Sequence, residues 1–148
     1  MPFCFPLTPV LRLRQSLEER ERLRLAMIIS RINQIDCQSD ALDREKTQTC
    51  TRISDHLRLG MTAAELRLER ARITSLNQAK KALTGQKTKL EQQRTEQQAA
   101  LREAQRDRKT VENLRDQKLE LYRRDCERRA QQAVDDLFGL RLARSQRS

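Results

Sequence analysis

The chain has 148 residues, of which 36% are hydrophobic, 3% aromatic and 35% charged, with three Gly and three Pro. So few large apolar side chains cannot fill a globular core, and so little Gly and Pro argues against both a turn-rich β fold and disorder. Arg, Leu, Gln, Glu and Ala dominate, which favours long helices and predicts an elongated all-α protein.

Charge is unevenly spread. Residues 1–60 carry ten Lys/Arg against eight Asp/Glu, whereas residues 61–148 carry 21 against 13, within an overall net charge of +10. A basic surplus suits nucleic acid, anionic membrane or an acidic protein surface. Cys4, Cys37, Cys50 and Cys126 are widely spaced, with His56 the one histidine, so the expectation is reduced thiols and no metal or cofactor. The start lacks a basic region ahead of its apolar residues and is broken by Pro2, Pro6 and Pro9, which argues against a signal peptide. The expected location is cytoplasmic.

Thr8 and Pro9 read as a helix entrance, with the Thr hydroxyl accepting a backbone N–H and Pro at the first helical position. The first helix is expected over about residues 9–59. Its apolar seam reads Val10, Leu13 and Leu17, then Leu25, Ile28, Ile32, Ile35, Ser39 and Leu42, with a later Ile53; the gap between Leu17 and Leu25 reads as a stutter. Gly60 breaks the pattern in a turn at about 60–62. Thr62-Ala63-Ala64-Glu65 is a capping box that restarts a second helix, expected over about 63–142.

The second seam takes Leu66, Ile73, Leu76, Leu83, Leu90, Leu101, Ala104, Val111, Leu114, Leu121, Ala133 and Leu137, with Lys80, Lys87 and Arg94 at positions where apolar residues are expected. Gly85 is absorbed in an unbroken helix, and Gly139 reads as a helix end. A turn this short makes the helices antiparallel, so the fold class is all-α: one coiled-coil domain over 1–148, a long two-helix antiparallel hairpin. At 1.5 Å per residue the first helix spans roughly 75 Å and the second roughly 115–120 Å, so the second overhangs the first. Glu120 with Arg124 and Asp125 with Arg129 are expected to pair along the overhang.

No phosphate-binding loop, dinucleotide fingerprint or metalloprotease motif occurs, and a single His offers no catalytic constellation. The chain therefore reads as a non-enzymatic binding or structural element. The four aromatic residues, Phe3, Phe5, Tyr122 and Phe138, are gathered by the hairpin at the end bearing both termini. An extended segment from Pro2 to Thr8 brings Phe3 or Phe5 near Tyr122. Either these rings contact a partner, or the two Phe residues lock the amino-terminal segment onto the second helix.

Two stretches carry a family resemblance: Phe3-Cys4-Phe5-Pro6-Leu7 through Val10-Leu11-Arg12-Leu13-Arg14-Gln15, and Glu127-Arg128-Arg129-Ala130-Gln131-Gln132-Ala133-Val134-Asp135-Asp136-Leu137-Phe138. Together with the length and two-helix layout they resemble the flagellar export protein FliJ family. That resemblance implies a non-catalytic part of the bacterial flagellar type III export apparatus, similar in shape to the central stalk of a rotary ATPase and located in the cytoplasm beside the inner membrane at the flagellar base. The implied partners are the hexameric export ATPase, the export-gate protein FlhA and export chaperones, with no cofactor and no small-molecule substrate.

The residues expected at an ATPase contact are Phe3, Phe5, Arg12, Arg14, Tyr122, Arg123, Arg124, Arg128, Arg129, Asp135, Asp136, Leu137 and Phe138. Their Arg forks would meet pore carboxylates, with Leu137 and Phe138 as an apolar plug. Two other readings fit the composition. A nucleic-acid-binding coiled coil is opposed by interleaved acidic residues and the absence of an aromatic platform; a generic coiled-coil scaffold is opposed by the Gly60 turn.

Overall fold

In the computed structural model the backbone is described for residues 3–145 and side chains for residues 3–142. The chain is all-α, with α1 spanning Thr8–Leu59 and α2 spanning Ala63–Ser145. The two helices pack against each other as a coiled-coil hairpin. Contacts divide the chain into one unit of residues 20–102 and another formed by residues 1–19 with 103–148.

The turn lies in the first unit. Gly60 has φ of 95°, a left-handed conformation that costs a residue with a Cβ about 1 kcal/mol or more. Beyond it the capping box forms as its sequence requires. The Thr62 N–H donates to Glu65 Oε2 at 2.9 Å, and the Glu65 N–H donates to Thr62 Oγ1 at 3.3 Å. The backbone bond from Thr62 holds the Glu65 carboxyl below its ordinary 4.5, helped by the Thr62 hydroxyl. Two otherwise unpaired N–H groups at the start of α2 are thus satisfied.

Along α1 in this unit the least accessible positions step by three and four: Leu25, Ile28, Ile32, Ile35, Ser39, Leu42, Lys46, Thr49 and Ile53. Ile32 and Ile35 are buried, and Thr49 is completely so. The Thr49 hydroxyl is satisfied by donating to the Glu45 carbonyl at 2.9 Å and accepting from Arg52 at 3.3 Å, which removes the cost of burying it.

On α2 the inward positions Leu66, Ile73, Leu76, Leu83 and Leu90 alternate with half-buried Lys80 and Lys87. Each lysine reaches an α1 carboxylate, Lys80 lying 2.6 Å from both Asp43 oxygens and Lys87 lying 2.7 Å from Asp36 Oδ1. Their stems cover apolar surface while the ammonium groups stay wet. Arg94, expected beside them, is exposed. Gly85 lies within the unbroken helix.

In the second unit the expected seam is displaced. Leu11 is 6% exposed, whereas Val10 and Leu13 are 39% and 58% exposed. Counting back from Leu25 in steps of four and three gives Glu21, Glu18, Arg14 and Leu11, so the heptad continues without a stutter and carries charged residues at three successive positions. On α2, Leu114 and Leu121 are likewise exposed, because the inward line passes instead through Arg108, Val111, Glu112, Arg115 and Leu119 to Tyr122.

Thr8 also differs from expectation. It is the first residue of α1, and its hydroxyl donates back to the Phe5 carbonyl at 2.6 Å instead of accepting an N–H. Gly139 does not end α2, which runs on to Ser145.

The displaced seam has a direct consequence for stability. Leu11→Ala is expected to lower unfolding stability by about 2–4 kcal/mol and Leu13→Ala by less than about 0.5 kcal/mol, measured by urea denaturation followed by circular dichroism. The cap adds a pH signature. Because the folded Glu65 carboxyl titrates below its unfolded value, its stabilisation is complete above that unfolded value and is lost as pH falls through the folded one. Subtracting the stability profile of Glu65→Ala from that of the parent chain is expected to show a difference near neutral pH that shrinks on acidification.

Candidate protein-binding end

The residues expected at a partner contact all lie in the unit of residues 1–19 and 103–148. Phe5 is 6% exposed, with the Lys118 ammonium 5.9 Å from its ring centroid, a cation–π contact. Phe3 lies against Tyr122 with centroids 5.5 Å apart and planes tilted by 50°. A turn at Pro6 and Leu7, closed by the Thr8 N–H to the Phe5 carbonyl at 3.2 Å, carries this segment into α1. The start of the expected extended segment, at Pro2, lies outside the described residues.

Below these rings the seam is ionic. Arg14 meets Asp107 at 2.6 Å. Glu18, only 5% exposed, accepts from Arg108 Nε; Arg108 also pairs with Glu112 at 2.5 Å. The hydrogen bonds that Arg108 donates to Glu18 and Glu112 raise its guanidinium above its ordinary value, keeping it charged. Tyr122 titrates above its ordinary value, chiefly through its hydrogen bond with the Cys126 side chain and secondarily through desolvation. Cys126, Cys4, Cys37 and Cys50 are exposed free thiols.

Tyr122 is the last half-buried residue of α2: every residue from Arg123 to Leu142 is exposed. Ala133 and Leu137, placed on the seam by their spacing, therefore face solvent. This stretch of α2 overhangs α1. Of the residues expected at a partner contact, Phe3, Phe5, Arg14 and Tyr122 are engaged within the unit, while Arg12 is exposed on α1. Arg123, Arg128, Arg129 and Asp136 are exposed on the overhang.

Arg124 pairs with Glu120 as expected, and Asp135 accepts from Gln131 Nε2 at 3.1 Å. Leu137 and Phe138 are 61% and 59% exposed. Three further exposed residues escaped the sequence reading: Val134, Leu140 and Leu142. Their recurrence beside Leu137 and Phe138 at steps of three and four was the available signal.

Shallow concavities mark the surface. One, of about 240 Å³, is lined by Gln117, Glu120, Leu121 and Arg124 at the start of the overhang. Another, of about 480 Å³, lies in the unit of residues 20–102, where Arg31, Ile35, Lys89 and Leu90 are among the residues that line it. Among the described residues no His, Cys, Asp and Glu cluster suits a metal ion, and no helix is long and apolar enough to cross a membrane.

A helix held by no tertiary contact frays readily. Amides of residues 123–142 are expected to exchange hydrogen for deuterium at least tenfold faster than those of residues 25–42, measured by mass spectrometry of the native protein. Equal protection of the two segments would show that the overhang is covered in solution.

In a comparison with known families, the model described as Flagellar FliJ protein aligns with residues 3–147. No curated protein and no solved structure matches the chain.

Proposed function

The chain belongs to the FliJ family and is thereby a component of the flagellar export apparatus; from that premise we propose that it acts as a stalk-like coupling element that seats its terminal end in the pore of the hexameric export ATPase. The observation that carries this reading is the exposed run Arg123–Leu142, a long helical surface furnished with arginines and ending in Leu137, Phe138, Leu140 and Leu142. Arg pairs bidentately with carboxylates and stays charged throughout the physiological range. Exposed apolar groups beside it supply the burial that anchors an interface.

Coupling follows from symmetry. One asymmetric helical end within a six-fold ring touches successive subunits differently. If its contacts are stronger with one nucleotide state than with another, it shifts the population of those states in turn. The chain itself supplies contact energy and the ring supplies the chemistry, in keeping with a non-catalytic family. In the same reading the hairpin body contacts the export gate protein FlhA and export chaperones, and this work takes place in the cytoplasm at the inner membrane of the flagellar base.

Removal of residues 123–148 preserves the covered part of the hairpin, including Tyr122. The truncated protein is expected to remain helical and to lose both pull-down of the export ATPase and stimulation of its hydrolysis. The double substitution Leu137→Asp and Phe138→Asp is expected to weaken binding at least tenfold. Undiminished binding by the truncated chain would sink the assignment of the contact to the overhang.

A further inference from the structure

Within residues 20–102 the groove between α1 and α2 is bordered by cations that the chain itself leaves uncompensated. The concavity of about 480 Å³ has Ile35 and Leu90 in its lining, Arg31 on the α1 wall, Lys89 on the α2 wall, and three glutamine side chains beside them. Among the described residues that line it, none is acidic. Both cations are exposed, and neither meets a carboxylate among the described residues.

The acids of this stretch lie on the other side of the seam. On α1, Asp36, Asp40 and Asp43 each follow a seam residue, namely Ile35, Ser39 and Leu42, whereas Arg31 and Gln38 each precede one, Ile32 and Ser39. At about 100° per residue the two sets flank the seam on opposite sides. On α2, Glu91 follows Leu90 and Lys89 precedes it. The acidic side has its cations already. Lys80 meets Asp43 and Lys87 meets Asp36; Lys87 is held above its ordinary value chiefly by its hydrogen bond to Asp36, with the charges of Asp36, Glu91 and Asp40 adding attraction.

We propose that this groove is the docking site for an acidic amphipathic helix of a partner protein, whose apolar stripe lies over Ile35 and Leu90 and whose flanking carboxylates meet Arg31 and Lys89. In the register set by Asp36 with Lys87 and Asp43 with Lys80, Arg31 stands opposite Gln92. It and Lys89 therefore lie on facing walls, offset by roughly 4.5 Å along the groove. A helix laid between two others turns the two borders of its apolar stripe toward the two walls, which matches one cation on each. The glutamine amides offer hydrogen bonds to the same borders. A nucleic-acid backbone suits the groove less well, because it would bring phosphates to these cations and leave the apolar residues between them unfilled. The inference is read from residues 20–102 alone and holds whether or not the overhang seats in an ATPase ring.

The probe is a fluorescein-labelled helical peptide about three heptads long, with Leu at positions a and d and Glu at e and g; a second peptide carries Lys in place of every Glu. Fluorescence anisotropy with the full chain at low salt is expected to give a dissociation constant of about 10–200 µM for the Glu peptide, as suits a contact smaller than a standard interface. The Lys peptide is expected to bind at least tenfold more weakly. Arg31→Glu and Lys89→Glu are each expected to weaken binding of the Glu peptide about fivefold or more, and the double variant is expected to prefer the Lys peptide. Lys81→Glu makes the same charge change at an exposed position that does not line the groove and is expected to change binding by less than about twofold.

Absence of saturable binding up to about 1 mM overturns the proposal. So does equal binding of the two peptides by the parent chain, or a Glu peptide that ignores either groove substitution. An effect of Lys81→Glu as large as that of Lys89→Glu is overturning as well, because it reports net charge and not the groove. A DNA duplex that binds in place of the Glu peptide, and that the two groove substitutions release, would assign the cations to phosphate and overturn it too. All the substituted positions are exposed on helices, and circular dichroism with urea unfolding confirms that the hairpin is kept.

Discussion

The left-handed turn at Gly60 is the constraint on which the hairpin depends. Once the chain reverses there and the capping box starts α2 at Ala63, the antiparallel register within residues 20–102 is set. Two cross-helix pairs show the register at work. Asp36 meets Lys87 and Asp43 meets Lys80, so a step of seven residues up one helix matches a step of seven down the other. A slip of one residue would separate both pairs and turn Ile32 and Ile35 away from the seam. The ion pairs, worth little individually at such exposure, therefore act mainly as markers that make one register better than its neighbours.

The two units use the same heptad with different chemistry. Residues 20–102 fill it mainly with Leu and Ile, and these contribute burial without directional demands. Residues 1–19 and 103–148 place Arg14 and Glu18 in it, facing Asp107 and Arg108. A carboxylate as covered as Glu18 needs an opposite charge beside it, and Arg108 supplies one. Such a seam gains less from burial than an apolar one. It makes up the difference in specificity and in the aromatic cover of Phe5 beneath Lys118 and Phe3 against Tyr122.

That contrast also explains what the amino-acid sequence made legible. The turn, the capping box, the unbroken passage through Gly85 and the apolar seam from Leu25 to Leu42 could all be read, because each rests on local spacing or on a residue type with one dominant conformational use. Leu11 could not be separated from Val10 and Leu13, since the positions that would have fixed the phase hold Arg14, Glu18 and Glu21 and look like surface. The apparent stutter was the same error seen from the other side. Gly139 was read as a stop because Gly commonly follows a helix end, yet α2 runs through it to Ser145. At the candidate site, composition distinguished neither the rings that pack within the unit from the ring left outside nor the engaged Arg14 from the exposed Arg129, since those fates depend on which surface the partner helix reaches.

The division at Tyr122 gives the terminal end its character. On one side Phe3, Phe5 and Tyr122 spend their apolar area on holding the amino-terminal segment against α2. On the other, Leu137 and Phe138 keep theirs exposed. A protein this poor in aromatic residues cannot place them casually. Three of the four stabilise the point where the covered helix becomes an uncovered one, so that the exposed stretch begins from a fixed base. Beyond that base helical order depends on intrinsic propensity and on pairs such as Glu120 with Arg124, each worth a few tenths of a kcal/mol. Such a segment is ordered enough to present a periodic surface and weakly enough held that any surface covering it would stabilise it by mass action. Binding at this end would therefore be coupled to completion of the helix, which makes the overhang a region whose stability belongs partly to whatever it contacts.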